Sequence, residues 1–91
     1  MKRIEEKSRR RVTFSCPAPV AKEVFVAGTF NGWDPRKDPL KKQPSGWKAV
    51  KYLPPGVHEY RFVVDGTWVD DPACRIRRPN PYGGENCVLQ L

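Results

Sequence analysis

The chain has 91 residues and a formal net charge of +7, and its 38% apolar content with ten aromatic side chains limits it to one small domain with a modest core. Ten prolines and seven glycines favour many short strands and turns over long helices. No apolar run is long enough for a signal peptide or a membrane span, so we expect a cytoplasmic protein.

The positive charge is concentrated at the N-terminus. Residues 1–11 hold six basic and two acidic side chains, a net +4, whereas the other 80 residues hold 11 basic and 8 acidic side chains, a net +3. We therefore predict a basic N-terminal arm over residues 1–11 and a folded β-sandwich module over residues 12–91. The arm is interpreted as a solubilising terminus, and an anionic partner such as nucleic acid or an acidic protein is the alternative.

Alternation of apolar and polar residues predicts about seven short strands separated by turn residues. Six of them are located, over residues 11–16, 23–27, 47–53, 57–64, 67–69 and 86–91. Residues 34–46 and 73–84 lack this periodicity and are predicted to be irregular, with Leu40 as an inward anchor in the first of them. Such a chain is typical of an all-β, immunoglobulin-like antiparallel β-sandwich.

The strand over 57–64 gives the clearest prediction of sidedness. Its residues His58, Tyr60, Phe62 and Val64 project toward the core, so Arg61 projects to the opposite, wetter face. The dipeptide Asp65-Gly66 then predicts a type I′ hairpin turn, which places Trp68 on a short returning strand.

The three cysteines form an odd count without Cys-x-x-Cys spacing. We therefore expect reduced structural thiols, with oxidation of Cys16 and Cys87 as the alternative if their strands are neighbours. Neither a metal ion nor a cofactor is expected, because the single His58 adds little to these thiols.

No catalytic constellation is predicted. Asp65, Asp70 and Asp71 are the only acidic cluster, and adjacent carboxylates in an extended chain point apart, which does not suit glycoside hydrolysis. Asp65 and Asp71 also have ready roles in turns. We therefore interpret the chain as a non-enzyme.

Three segments carry a family resemblance. They are VFVAGTFNGWDP over 24–35, LPPGVHEYRFVVDGTW over 53–68 and ENCVLQL over 85–91. In this order they resemble the family-48 carbohydrate-binding modules, which include the glycogen-binding domain of the AMP-activated protein kinase β subunit and modules of branching and debranching enzymes. The resemblance covers roughly residues 12 to 91 and implies a non-catalytic module that binds α-glucans.

The resemblance also implies a set of site residues. Trp33, on a turn-rich loop, and Trp68, after the hairpin, match the two tryptophans that stack on sugar rings, because an aromatic face attracts the C–H face of a pyranose. Arg61 and Asn86 match the residues that donate to hydroxyls, although the family commonly has lysine at the first position. Tyr82 falls near a loop position that contacts the sugar.

A structural role is the alternative for each of these residues. The tryptophans could belong to the core, where Trp47 is also expected; Arg61 could pair with Glu59 or an acid on a neighbouring strand; Asn86 could only begin a strand; and Tyr82 could pack on Pro81.

The leading hypothesis is binding of an α-1,4-linked glucan (glycogen, starch or a maltooligosaccharide), alone or beside a glycogen- or starch-metabolising enzyme. The alternative is a protein-interaction or regulatory subunit, as in a kinase-type complex, that keeps the fold without sugar binding. Nucleic-acid binding ranks last, because the tryptophans lie outside the basic run.

Overall fold

The computed structural model describes residues 9–91 and arranges them in two antiparallel sheets. The strands are β1 (Arg10–Cys16), β2 (Val24–Gly28), β3 (Asp38–Pro39), β4 (Lys41–Gln43), β5 (Gly46–Leu53), β6 (Val57–Val64), β7 (Thr67–Val69), β8 (Arg77–Pro79) and β9 (Glu85–Gln90). A single 3₁₀ turn, Thr29–Asn31, follows β2 in the described part of the chain. The all-β, immunoglobulin-like sandwich expected from the alternation is thus confirmed.

The two sheets have different sizes. The smaller sheet has the order β1-β5-β4, and the larger has the order β3-β2-β6-β9-β8, with the short β7 paired to the C-terminal half of β6. Strand β6 is central, because it pairs with β2 along one edge and with β9 and β7 along the other. Its position makes β6 the strand from which side chains reach both the core and the middle of the outer face.

The core lies between the sheets. Phe62 is fully buried, Tyr60 packs edge-on against it, and Phe14 of the smaller sheet packs against Tyr60. Burying each such side chain stabilises the fold by about 1.5–3 kcal/mol. Trp47 is also buried and donates its indole N–H to the carbonyl of Ala18 at 2.9 Å, so its prediction as a core residue is confirmed.

The turn between β6 and β7 has the predicted form. Asp65 and Gly66 have φ values of 49° and 83°, and positive φ at both central positions is the signature of a type I′ turn. The Asp65 carboxylate also accepts hydrogen bonds from the backbone N–H groups of Lys22 and Glu23, each at 2.9 Å. The turn is therefore held against the start of β2.

The predicted irregular segments contain short strands, so that prediction is wrong in detail. Residues 34–46 include β3 and β4, and residues 73–84 include β8, all at the edges of sheets. Such strands are exposed and lack alternation, and an edge position tolerates the proline that each of β3 and β8 contains. Leu40, the predicted anchor between β3 and β4, is buried.

The cysteine prediction is wrong for two of the three thiols. Cys74 and Cys87 form a disulfide that joins the segment after β7 to β9, with a Cα–Cα distance of 5.8 Å. Cys16 is free and buried, and burial, followed by the nearby charge of Asp71, raises the pKa of its thiol. The alternative pairing of Cys16 with Cys87 is therefore not formed.

Two further expectations concern the basic N-terminal arm and membrane-spanning segments. Most of the predicted basic arm, residues 1–8, lies outside the described residues, and β1 begins at Arg10. Within residues 9–91, no helix has the length and apolar character needed to cross a membrane.

Candidate functional site

A groove of about 830 Å³ lies on the outer face of the larger sheet. Glu59 and Arg61 of β6 line it, and they alternate with Tyr60 and Phe62, which point into the core. All five residues predicted as site residues line this one groove: Trp33, Arg61, Trp68, Tyr82 and Asn86. The fold therefore brings together side chains from three separate segments of the sequence.

The loop after β2 holds Trp33 at the groove. Gly32 and Trp33 have φ values of 69° and 60°, and the Trp33 N–H donates to the carbonyl of Gly28 at 2.9 Å. A left-handed backbone conformation is uncommon for a bulky residue, and such positions cluster at ligand-binding sites. The turn residues around Trp33 thus direct its indole outward from the sheet.

Asn31 fixes this loop to the sheet. Its side-chain oxygen accepts from the N–H of Gly28 at 3.0 Å, and its amide nitrogen donates to the carbonyl of Val26 at 3.0 Å and to the carboxylate of Asp38 at 2.7 Å. These three bonds satisfy both ends of the amide. Asn31 therefore connects the Trp33 loop to β2 and β3.

The two indoles lie side by side. The ring centroids of Trp33 and Trp68 are 6.5 Å apart, and their planes are inclined by 42°. Trp68 is 39% exposed, Trp33 is half-buried, and neither belongs to the core between the sheets. Together they form one apolar platform with two tilted surfaces.

Arg61 lines the groove but is already paired. Its Nη2 and Nε atoms lie 2.9 and 3.1 Å from one carboxylate oxygen of Asp70, and Arg77 lies 3.3 Å from the other oxygen. Asp70 follows β7, the neighbour of β6, so the predicted alternative of a neighbouring-strand acid describes this contact, whereas Glu59 is not the partner. Because a guanidinium has five N–H donors, Arg61 retains donors beyond those that bind Asp70.

Asn86 belongs to a polar network in the groove wall. Its amide nitrogen donates to Glu59 at 3.1 Å, and its oxygen accepts from the side chain of Asn80 at 3.0 Å. Glu59 accepts a second bond from Arg78 at 2.8 Å. Asn86 is itself buried, so its first role is to orient Glu59 and Asn80 at the wall.

Tyr82 forms the outer rim of the groove. Its side chain is 92% exposed, and its backbone N–H donates to the Asn80 side chain at 2.9 Å. The same Asn80 oxygen accepts from the N–H of Gly84 at 3.2 Å. Asn80 therefore shapes the loop that presents the phenol ring.

Four groove residues were not predicted as site residues: Thr29, Glu59, Asn80 and Pro81. The alternation in β6 already places Glu59 on the same face as Arg61, which is a usable signal. The sequence Asn80-Pro81 is a turn signal, because an Asn side chain often bonds the backbone two residues on. Nothing local in the sequence indicates Thr29, whose hydroxyl accepts from the N–H of Glu59 at 3.2 Å.

The groove combines an apolar platform with a polar wall. Indole faces can pack on the C–H face of a sugar ring, while the carboxylate of Glu59 accepts hydrogen bonds from hydroxyls and the guanidinium of Arg61 donates to them. In the part of the chain that the structure describes, no three His, Cys, Asp or Glu side chains come close enough to hold a metal ion. The side chains of the groove are thus suited to contact a ring that has an apolar face and several hydroxyl groups.

The three carboxylates of the predicted acidic cluster all have structural partners. Asp65 bonds the start of β2, Asp70 bonds Arg61 and Arg77, and the buried Asp71 accepts a hydrogen bond from the hydroxyl of Tyr60. Burial, the bond to Asp71 and its charge raise the pKa of Tyr60 above its ordinary value.

Acid is expected to weaken the support of the Trp33 loop through Asp38. Burial alone would raise the pKa of this carboxyl, but hydrogen bonds from Lys51 (2.8 Å) and Asn31 hold it below its ordinary value of 3.8. Because this pKa is lower in the folded state than in the unfolded chain, the ionised carboxylate stabilises the fold. This stabilisation is complete above pH 3.8 and is lost as the pH falls through the folded-state pKa. We expect a loss of about 0.2–1 kcal/mol in the free energy of unfolding.

Urea unfolding measured from neutral pH to below 3.8 tests this prediction. Asp38→Asn should be less stable than the unmodified protein at neutral pH, and the difference should shrink in acid. A constant difference across this range would contradict it.

Comparison with known proteins identifies relatives of the chain. The family described as the glycogen recognition site of AMP-activated protein kinase matches residues 12–90. The 5'-AMP-activated protein kinase subunit beta-2 of Mus musculus is 50% identical over 52 residues, which cover 57% of this chain and 19% of the relative. Subunit beta-1 of Sus scrofa is 44% identical over 70 residues, which cover 77% of this chain and 55% of the relative.

Subunit beta-1 of Bos taurus is likewise 44% identical over 70 residues, which cover 77% of this chain and 25% of the relative. The chain thus spans from about a fifth to about half the length of these curated relatives. The similarity concerns one module of longer proteins.

Proposed function

The chain belongs to the family of glycogen recognition sites of AMP-activated protein kinase, and from this premise we propose that it binds α-glucans such as glycogen, starch or maltooligosaccharides without catalysing a reaction on them. The proposed binding surface is the groove on the outer face of the larger sheet. In it, Trp33 and Trp68 stack on sugar rings, and Arg61, Asn86 and Tyr82 contribute at the wall and rim.

The observation that carries this proposal is the pair of adjacent indoles in one groove. Their centroids are 6.5 Å apart, which lets the two rings contact neighbouring units of a single sugar chain. Each contact removes apolar surface of both partners from water and sets polarised C–H groups against a π face. Two such contacts on one chain give more binding than either indole gives alone.

The inclination of the indoles favours a curved chain. Their planes differ by 42°, so two rings stacked on them are rotated relative to each other. An α-1,4-linked glucan coils and presents successive rings at such an angle, whereas cellulose is flat and matches coplanar platforms. The proposed ligand class is therefore the coiled α-glucan.

The absence of catalysis is proposed from the state of the carboxylates. A glycosidase needs two carboxylates facing each other across the scissile bond, one of them free to be protonated. Here Glu59 accepts from Asn86 and Arg78, and Asp70 is held between two arginines. Both carboxylates are therefore occupied as hydrogen-bond acceptors for neighbouring side chains, and neither is free to act as a general acid.

Affinity electrophoresis in native gels tests this proposal. The net charge of +7 makes the protein migrate toward the cathode, and dissolved glycogen should retard it, whereas a soluble cellulose derivative should not. Because stacking is not an ionic contact, the retardation should persist as salt is raised. Equal mobility with and without glycogen would refute the proposal.

A protein-interaction or regulatory role is the second candidate, and the smaller sheet favours it. Strands β1, β4 and β5 contain six basic and no acidic residues, of which Lys51 is paired with Asp38, and Tyr52 and Val50 are 58% and 43% exposed. The similarity to kinase β subunits makes a kinase-type complex the proposed partner, and a glycogen- or starch-metabolising enzyme is the alternative. If this were the sole function, glycogen would not retard the protein in the same gels.

A further inference from the structure

A second, smaller hollow adjoins the groove beside Trp68. Its volume is about 180 Å³, against about 830 Å³ for the groove, and Trp68 lines both. The rest of its lining consists of Glu23, Phe25, Pro35, Arg36, Val63 and Gly66. A chain that leaves the groove past Trp68 would therefore enter a space of the size that suits one ring.

The floor of the hollow is an apolar row that crosses three strands. The register of the larger sheet places Phe25 of β2 opposite Val63 of β6, and Val63 opposite Trp68 of β7. Side chains at paired positions of adjacent strands lie on the same face of a sheet and contact each other. Although β6 sends its odd-numbered residues to the outer face, Val63 is buried there, because Phe25 and Trp68 flank it.

The rim of the hollow is charged. Arg36 lies 3.3 Å from Glu23, and their side chains are 68% and 44% exposed. The guanidinium carbon is 5.1 Å from the centroid of the Phe25 ring, and the backbone N–H of Arg36 donates to Asp34 at 2.9 Å. The turn at Asp34 and the contact with Phe25 thus hold the guanidinium over the Phe25 ring, where it lines the hollow together with Val63 and Trp68.

From this arrangement we infer that the hollow is an additional subsite for one pyranose ring, extending the glucan-binding groove past Trp68. This inference rests on the proposed function. Trp68 and the accessible part of Phe25 supply an apolar floor for the C–H face of the ring, and the buried Val63 supports that floor from below. The guanidinium of Arg36 donates to neighbouring hydroxyls, and the carboxylate of Glu23 accepts from a hydroxyl.

The contact between Arg36 and Glu23 contributes little to the stability of the fold, because both side chains are exposed to solvent. Their position over an apolar row is also the arrangement that sugar recognition needs, since a ring requires an apolar face and polar groups at its edge. The subsite should therefore respond to mutation without loss of folding.

The test uses chain length as the variable. Binding of the series from maltotriose to maltoheptaose is titrated by tryptophan fluorescence for the unmodified protein and for Arg36→Ala. Lys42→Ala, which removes an exposed charge from β4 on the other sheet, is the matched control. Thermal unfolding of each variant checks that the fold is retained.

For the unmodified protein, affinity should rise by a step when the oligosaccharide becomes long enough to pass Trp68. Arg36→Ala should weaken maltoheptaose binding about fivefold, as expected for the loss of one hydrogen-bonding group, and leave maltotriose binding unchanged. The affinity of Arg36→Lys for maltoheptaose should lie between those of the unmodified protein and of Arg36→Ala, because lysine keeps the charge but loses the paired N–H donors of the guanidinium. Lys42→Ala should behave as the unmodified protein.

Equal losses for short and long oligosaccharides, or no loss for either, would overturn the subsite while leaving α-glucan binding in place. Failure of the unmodified protein to bind any member of the series would instead refute the proposed function, and the subsite with it. The two failures are therefore distinguishable in one experiment.

Discussion

Replacing Trp68 with alanine is expected to remove most of the retardation of this protein by glycogen, and replacing both Trp68 and Trp33 to remove all of it. Indoles at the centre of a binding surface commonly contribute about 2 kcal/mol or more to binding, which corresponds to about thirtyfold in affinity. Trp68 lines both the groove and the adjoining hollow, so its loss affects both surfaces. Affinity electrophoresis over a range of glycogen concentrations measures the effect.

The fold should survive the Trp68 substitution. The side chain is 39% exposed and stands on a strand of three residues, so its removal takes little from the core. Trp33 packs against it with tilted rings, and aromatic pairs of this kind contribute about 0.5–1.5 kcal/mol. If the Trp68→Ala protein loses glycogen binding but still unfolds cooperatively, the loss is due to the missing indole at the binding surface and not to a damaged fold.

Tyr52→Ala is the matched control for this experiment. Tyr52 is also an exposed aromatic residue, but it lies on β5 of the smaller sheet, whose outer face is on the opposite side of the sandwich. Its removal should leave glycogen binding unchanged. If Tyr52→Ala abolished the retardation and Trp68→Ala did not, the binding surface would be the smaller sheet and the proposed groove would be wrong.

The elements nearest the groove were the most predictable from the sequence. Alternation over residues 57–64 correctly predicted β6 and the direction of Arg61, and the Asp65-Gly66 signal correctly predicted the turn that presents Trp68. These signals are local, since they depend on the pleat of one strand or on the φ values of two residues. The resemblance carried by three motif segments is confirmed at the level of the family.

Features that depend on contacts between distant segments could not be predicted in the same way. The sequence allowed Arg61 to pair with an acid on a neighbouring strand, but the choice of Asp70 follows from the pairing of β7 with β6. The amide of Asn86 likewise reaches Glu59 only because β9 pairs with β6. The edge strands β3 and β8 gave no periodic signal, because their residues are mostly exposed. Each of these features is a product of sheet register, which composition and spacing do not encode directly.

The cysteine pairing shows the same limit. Cys74 lies in an irregular segment and Cys87 in β9, 13 residues apart, so no strand prediction places them together. They meet because the chain turns at β8, where Arg77 pairs with Cys87. The bridge therefore depends on β8, a strand of exposed residues that no alternation in the sequence reveals.

Reducing the Cys74–Cys87 bridge is expected to lower the free energy of unfolding by about 3 kcal/mol. The two cysteines are separated by 13 residues, and a cross-link that closes a loop of this length restricts the unfolded chain by about that amount. A domain of this size has a total stability of only about 5–15 kcal/mol, so the loss is a large fraction of it. Urea unfolding with and without dithiothreitol measures the difference.

The double variant Cys74→Ser/Cys87→Ser separates the bridge from other effects of the reductant. Without dithiothreitol it should unfold at the lower urea midpoint of the reduced protein, and dithiothreitol should not shift it further, because the remaining thiol, Cys16, is already free. The bridge also closes the segment that carries Asn80 and Tyr82, so its loss should weaken glucan binding through the groove wall while the two indoles remain in place. An unfolding midpoint that is the same for the oxidised protein, the reduced protein and the double variant would show that the bridge does not constrain this fold in solution.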